Sequence, residues 1–219
     1  MTTRIKPYYP ATSITGISIV NEVFTDEDTS LTNYVVPVMV SVHGALAHLG
    51  LLNIQVFSPT SAGVLQESYP PLAGSFKPEL TGVITQFLLF LHNTNSPFWV
   101  NAYPYFAYKD DPTKIQLDYV LFNPNPDMMD PNTNLHYDNM LYAQVDVVIF
   151  AMWHLGYGGQ DVRVSETGWP SMGDPNETGA TVQNAATYNK NLLKRQMANE
   201  GTPIRPKNKF MCLLCSMKI

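Results

Sequence analysis

Two carboxylates stand where a short apolar run gives way to polar residues: Glu22 after Gly-Ile-Ser-Ile-Val at 16–20, and Glu166 after the apolar Val162 and Val164. If both runs are strands of one parallel sheet, the two carboxylates project into the same mouth. The chemistry that needs such a pair is glycoside hydrolysis, in which one carboxyl protonates the leaving oxygen and the other attacks or activates water. Neutral partners lie close in sequence. Asn21 is placed to donate to a sugar hydroxyl or to the neighbouring carboxylate, and Tyr103, after a third apolar run, to orient Glu166 by a hydrogen bond. Trp169, Tyr105 and Phe106 offer flat faces for sugar rings. The competing reading of each carboxylate is a helix N-cap or a loop charge, and of each aromatic ring a core position. His43, His48, His92, His136 and His154 fall in no metal-ligand spacing and beside no serine elbow. No metal and no cofactor is therefore expected.

The elements that must position these groups alternate along the chain. Gly16 to Val20 reads as a buried parallel strand, followed by turn and N-cap chemistry at Asp26 to Thr29. Leu31, Val35, Val38, Val42, Leu46 and Leu49 recur at helical steps and predict one apolar face closed by Gly50. A second strand is expected at Ile54 to Phe57, then a long Ser-, Pro- and Gly-rich loop from Ser58 to Pro78. Glu79 to His92 reads as a helix with Leu80, Val83, Ile84, Phe87, Leu88 and Leu91 inward. Pro97 to Val100 gives a third strand running into Asn101-Ala-Tyr-Pro-Tyr-Phe106, and Lys109 to Asn134 a second long loop. Tyr137, Leu141, Val145, Val148, Met152 and Leu155 predict a helix ended by Gly156. A fourth strand spans Val162 to Val164, and a last helix carries Val182, Ala185, Ala186, Leu192 and Leu193. Four strand-helix units in a row are the grammar of an α/β fold of the (β/α) barrel type, whose chemistry sits where the strands end. A doubly wound sheet fits the alternation too, but no Gly-rich phosphate loop follows any strand.

Composition narrows the ligand. Of 219 residues 45% are hydrophobic and 14% charged, against about 25% charged in an average globular domain, which excludes a disordered chain. The net charge of -5 comes without any Lys/Arg cluster, so the footprint of a nucleic-acid binder is absent. Few charges with many Tyr, Trp and Asn suit a neutral ligand. Leu31 to Gln66 contains no Asp, Glu, Lys or Arg, which invites a transmembrane reading. Pro37, Ser41, His43, Gly44, His48, Asn53 and Gln55 interrupt it, so a buried helix followed by a buried strand is expected and no transmembrane segment. The cysteines, Cys212 and Cys215, form one Cys-x-x-Cys that lacks two further zinc ligands and the strand and helix of a redox motif. They read as two apolar residues of a tail.

The motif Val164-Ser-Glu-Thr-Gly-Trp-Pro-Ser171 with Gly173-Asp-Pro175 resembles the signature of the plant β-1,3-glucanases of glycoside hydrolase family 17. The resemblance extends over Tyr9-Pro-Ala-Thr-Ser-Ile-Thr-Gly-Ile17, Asn21-Glu-Val-Phe24, Ser68-Tyr-Pro-Pro71, Gly74-Ser-Phe76, Asn101-Ala-Tyr-Pro-Tyr-Phe-Ala-Tyr108, Asp130-Pro-Asn-Thr133, Tyr137-Asp-Asn-Met140 and Asn184-Ala-Ala-Thr-Tyr-Asn189. It implies a (β/α)8 TIM-barrel type fold and retaining hydrolysis of internal 1,3-β-glucosidic bonds. By motif match Glu166 takes the nucleophile position and Glu22 the acid/base position, with Asn21, Asn101, Tyr103, Tyr105, Phe106 and Trp169 on the substrate side. A retaining site holds its two carboxyl groups about 5 to 5.5 Å apart. The family resemblance also implies an extracellular or wall-associated protein, whereas the N-terminus here shows no apolar signal core, which leaves localisation open.

Compared with the family pattern, the match begins near a fourth barrel strand and fades after Pro206. The expectation is a partial catalytic domain at 1–206 and a divergent tail at 207–219, with about four of eight strand-helix units present and the first three strands and the last strand missing. Val20 stands where the family usually has Gly, and a β-branched side chain there is expected to crowd the acid/base. An open barrel exposes sheet edges and core faces, so self-association through those edges is expected. The expected partner is a β-1,3-glucan. Beside hydrolysis, a non-catalytic glucan-binding role and an interaction fragment that pairs with a complementary barrel half remain open.

Overall fold

The computed structural model describes residues 1–209 and 211–214. Its strands are β1 (Gly16–Ser18), β2 (Gln55–Phe57), β3 (Thr60–Ser61), β4 (Leu65–Glu67), β5 (Ser75–Phe76), β6 (Phe98–Asn101), β7 (Met128–Met129), β8 (His136–Tyr137), β9 (Val162–Thr167) and β10 (Cys212–Leu214). The helices are α1 (Val35–His48), α2 (Thr81–Asn93), α3 (Pro104–Asp110), α4 (Leu117–Val120), α5 (Met140–His154) and α6 (Val182–Met197). β3, β6, β9 and β10 form one parallel sheet in that order, and β1 pairs parallel with β2. β2 and β3 are two pieces of one extended run broken at Ser58 and Pro59. β1, then β2 with β3, then β6, β9 and β10 therefore follow one another as successive parallel strands, with α1, α2, α5 and α6 in the crossovers. This is the TIM-barrel type of fold.

The apolar runs explain the centre of this arrangement. All four residues of β6 are buried, because its neighbours cover both edges while α2 and α5 supply Ile84, Phe87, Leu88, Leu141, Val145 and Val148 to the same core. Asn139 caps α5 by accepting from the Tyr142 N–H at 2.9 Å, and Thr181 caps α6 by accepting from the Asn184 N–H at 3.1 Å. Both helices thus start where polar side chains satisfy otherwise orphaned N–H groups.

Several expectations are corrected. β1 is parallel, but none of its residues is buried. The helix expected from Leu31 begins at Val35, preceded by a 3-10 turn over Thr29–Tyr34. It buries Val35, Met39 and Leu46, while Leu31 and Val38 are exposed. By length and composition Thr29–His48 is apolar enough to cross a membrane, and the helix expected to be buried there buries only Val35, Met39 and Leu46. The two long loops are not featureless: 58–78 holds β3 and the antiparallel pair β4–β5, and 109–134 holds α4 and β7, which pairs with β8. Tyr137 lies in β8 rather than in the helix it was expected to start. Of the apolar residues read on the last helix, Ala185 and Leu192 are buried while Val182 and Leu193 are exposed. A strand does follow β9, against the expectation that none would: β10 runs parallel to it, pairing Cys212 with Val164 and Leu214 with Thr167. Cys212 is buried in that strand; Cys215 lies outside the described residues.

Candidate active site

Glu22 sits just beyond β1, where the chain continues to follow its neighbour. The Ile19 N–H donates to Phe57 O, Ser58 Oγ donates to Val20 O at 2.8 Å, and the Glu22 N–H donates to Pro59 O at 3.0 Å. At Glu22 the backbone turns into the left-handed region with φ 55°, which for a side chain of this size costs on the order of 1–3 kcal/mol. Thr25 holds the turn, its N–H and its Oγ both donating to Glu22 O. The carboxylate is half-buried. Val20 is half-buried too, and Glu22 keeps its hydrogen bonds beside it.

Glu166 projects from β9, the strand next to β6. Its carbonyl accepts from the Ala102 N–H at 3.0 Å, continuing the ladder past Asn101. The end of β6 addresses both carboxylates. Asn101, 3% exposed, donates from Nδ2 to Glu22 Oε1 at 2.7 Å and to Asn21 Oδ1 at 3.1 Å. Two residues on, the Tyr103 hydroxyl donates to Glu166 Oε2 at 2.8 Å. Each of these bonds holds one carboxyl oxygen in place. Asn21 is exposed, and with its Oδ1 taken its amide N–H groups are left for another acceptor. Phe106, 43% exposed, sets its ring edge-on to Tyr103, the centroids 5.4 Å apart.

The family comparison falls on this geometry. A family model for glycosyl hydrolases family 17 matches residues 1–217. The chain belongs to that family. Glucan endo-1,3-beta-glucosidase 14 of Arabidopsis thaliana is 50% identical over 203 residues, covering 92% of this chain and 52% of its own length. Glucan endo-1,3-beta-glucosidase 11 of the same plant is 47% identical, covering 94% and 49%. The chain thus spans about half the length of the curated relatives it matches. Among solved structures, CJP38, a beta-1,3-glucanase and allergen of Cryptomeria japonica pollen, superposes with a TM-score of 0.92 at 38% identity, covering 99% of this chain and 66% of that one. Family 17 membership and this superposition agree with the barrel-type order of strands.

Two aromatic residues expected to stack on sugar are placed elsewhere. Trp169 is 2% exposed, its Nε1–H donates to Gly179 O at 2.8 Å, and Tyr105, Tyr108 and Tyr188 pack around its ring. Tyr105 is fully buried against it. Neither offers a face to a ligand; both belong to the packing that supports the loop after β9. Gly179 has φ +82°, and a Cβ there would meet the Tyr108 ring at 2.8 Å, so the acceptor of the Trp169 bond must be glycine. Lys109 of α3 and the nearly buried Glu177 close the same loop with an ion pair at 3.2 Å. Ser165 escaped the sequence reading: its Oγ lies 2.5 Å from Asn101 Oδ1, and only its place beside Glu166 hinted at it. Among the described residues no group of three His, Cys, Asp or Glu could hold a metal ion. A separate cavity of about 720 Å³ between the β4–β5 pair, α4 and α5 is lined by Tyr69, Pro71, Tyr119, Met128, Met140 and Val147, among others, and by neither carboxylate.

Proposed function

We propose that the chain carries a hydrolytic site for internal 1,3-β-D-glucosidic bonds of β-1,3-glucans, with Glu166 as nucleophile and Glu22 as acid/base. The observation that carries this reading is the double service of β6: its end supplies one neutral donor to each carboxylate, Asn101 to Glu22 and Tyr103 to Glu166. The names borne by the relatives support the substrate class.

In the first step a Glu166 carboxylate oxygen attacks the anomeric carbon as Glu22 gives its proton to the departing glycosidic oxygen. The bond to the leaving sugar breaks and a glycosyl ester forms. In the second step Glu22, now ionised, takes a proton from water, which attacks the same carbon and releases Glu166. Two displacements return the original anomeric configuration. The Tyr103 bond to Oε2 reserves the other oxygen, Oε1, for attack. Asn21 presents its amide N–H groups to a sugar hydroxyl, and Phe106 offers its exposed ring to a sugar face.

The test is release of reducing ends from a soluble β-1,3-glucan, compared between the chain and Glu166→Gln. Release by the chain and a loss of about 10³-fold or more in the variant is expected. If both are inert while the glucan still retards the protein in an affinity gel, the chain is a binding module and hydrolysis is refuted.

A further inference from the structure

β9 carries one residue more than either neighbour at the height of the site. Against β6, Val164 pairs with Val100 but Glu166 pairs with Asn101, so two steps on β9 oppose one on β6. Against β10, Val164 pairs with Cys212 and Thr167 with Leu214, three steps opposing two. The surplus on both sides fits a β-bulge at Ser165. In an unbroken strand residues 165 and 166 would point to opposite faces; a bulge re-aims one of them. Here Glu166 meets Tyr103 while Ser165 Oγ meets Asn101 Oδ1 at 2.5 Å.

The chain of donors then runs in one direction. The Ser165 hydroxyl donates to Asn101 Oδ1, and Asn101 Nδ2 donates to Glu22 Oε1 and to Asn21 Oδ1. Every polar atom of the Asn101 amide is committed, and the residue is 3% exposed. Reversing the amide would set its oxygen against two acceptors, so the network fixes which end faces Glu22. That constraint matters most during turnover. An ionised Glu22 would hold the amide N–H groups toward itself unaided, but a protonated Glu22 can also donate to an amide oxygen, and the two orientations then compete. Asn21 Oδ1 accepts on that side whatever the state of Glu22, and the Ser165 hydroxyl on the far side satisfies Oδ1 in the orientation this favours.

We infer that Ser165 is a positioning residue for Glu22, acting through Asn101, and that the bulge in β9 brings it to that role. The inference rests on Glu22 being the acid/base. Replacing Ser165 by Ala leaves a buried amide oxygen without a donor, which the amide relieves by rotating away from Glu22. Ser165→Thr keeps the hydroxyl.

The experiment pairs kinetics with a signal that needs no turnover. For hydrolysis of soluble β-1,3-glucan, Ser165→Ala is expected to lose about 10-fold in kcat with KM within about 2-fold of the parent, and Ser165→Thr to recover most of it. In ¹⁵N–¹H spectra the Asn101 side-chain amide should be protected and well dispersed in the parent and in Ser165→Thr, and move toward the positions of solvated asparagines in Ser165→Ala. Unchanged Asn101 signals in Ser165→Ala overturn the inference even if the protein hydrolyses nothing. Unchanged kcat, or an equal loss in the Ala and Thr variants, overturns it for an active protein. Inactivity of the parent with the Asn101 signals responding as expected would refute the hydrolytic reading and leave the positioning intact.

Discussion

Helices α1 and α5 are made of similar residues, Val-rich and nearly uncharged, yet α5 buries eleven of its fifteen residues and α1 three of its fourteen. The difference lies in what comes to meet them. α5 is covered by the turn at Pro71–Ala73, by β5, β8 and β9, and by α3 and α4, whereas α1 rests on β2, α2 and the 3-10 turn that precedes it. Hydrophobic pattern says that a helix can be buried; other segments decide whether it is. The contrast runs through the candidate site, because Glu22 belongs to the lightly packed side and Glu166 to the densely packed one. Glu22 is held by long-range bonds to Asn101 and to Pro59 O, and Glu166 by its place in the β9 ladder together with Tyr103.

The sharpest way to break this comparison is to truncate the dense side. Ile149 of α5 is 3% exposed, and Ile149→Ala should cost about 2–5 kcal/mol in urea unfolding. A loss below about 1 kcal/mol would mean that α5 is not the packed helix described.

A second test uses the one acid of that helix. Asp146 is fully buried, its Oδ2 accepts from the Ile204 N–H at 2.9 Å, and Tyr137, Thr202 and Arg205 surround it. Burial raises its pKa from 3.8 to about 6, against the opposing pull of these partners. Because the folded state holds the proton more tightly than the unfolded state, this acid favours folding at low pH. That contribution is lost as the pH rises from about 4 through 6 and amounts to at most about 3 kcal/mol. Asp146→Asn should therefore gain stability relative to the parent as the pH is raised from 4 to 7, read as diverging melting temperatures. Parallel curves would remove Asp146 as the cause.

The smallest effect belongs to the light side. Val40 of α1 is 54% exposed, and Val40→Ala should change stability by no more than about 0.5 kcal/mol. A cost as large as that of Ile149→Ala would erase the contrast.

Much of this arrangement was legible in the sequence. The alternation of apolar runs and helical periods placed β1, β2, β6 and β9 and the helices α1, α2 and α5 between them, though not α3 or α4, and the residues ending those strands marked Glu22, Tyr103 and Glu166. What escaped was set by contacts distant in sequence. Trp169 and Tyr105 read as ligand faces because they follow strands, but they fill the space under the loop carrying Gly179. Asn101 read as a sugar contact, and its bond to Glu22 spans 79 residues. Ser165 could not be found by periodicity, since a bulge breaks the two-residue alternation on which strand reading depends. β10 was hidden for a similar reason: its apolar residues follow a loop with no pattern, and pairing with β9 alone makes them a strand.

Central to the proposed hydrolysis is the assignment of the two carboxylates, held from the end of β6, as nucleophile and acid/base. It is tested most directly by trapping the ester with a 2-deoxy-2-fluoro-β-laminaribiosyl fluoride, which forms the covalent intermediate and hydrolyses slowly, followed by peptide mass spectrometry. One fluoroglycosyl group per chain is expected, on the peptide bearing Glu166, and none in Glu166→Gln. A label on Glu22 or on another residue, or no label on a folded protein, would contradict it.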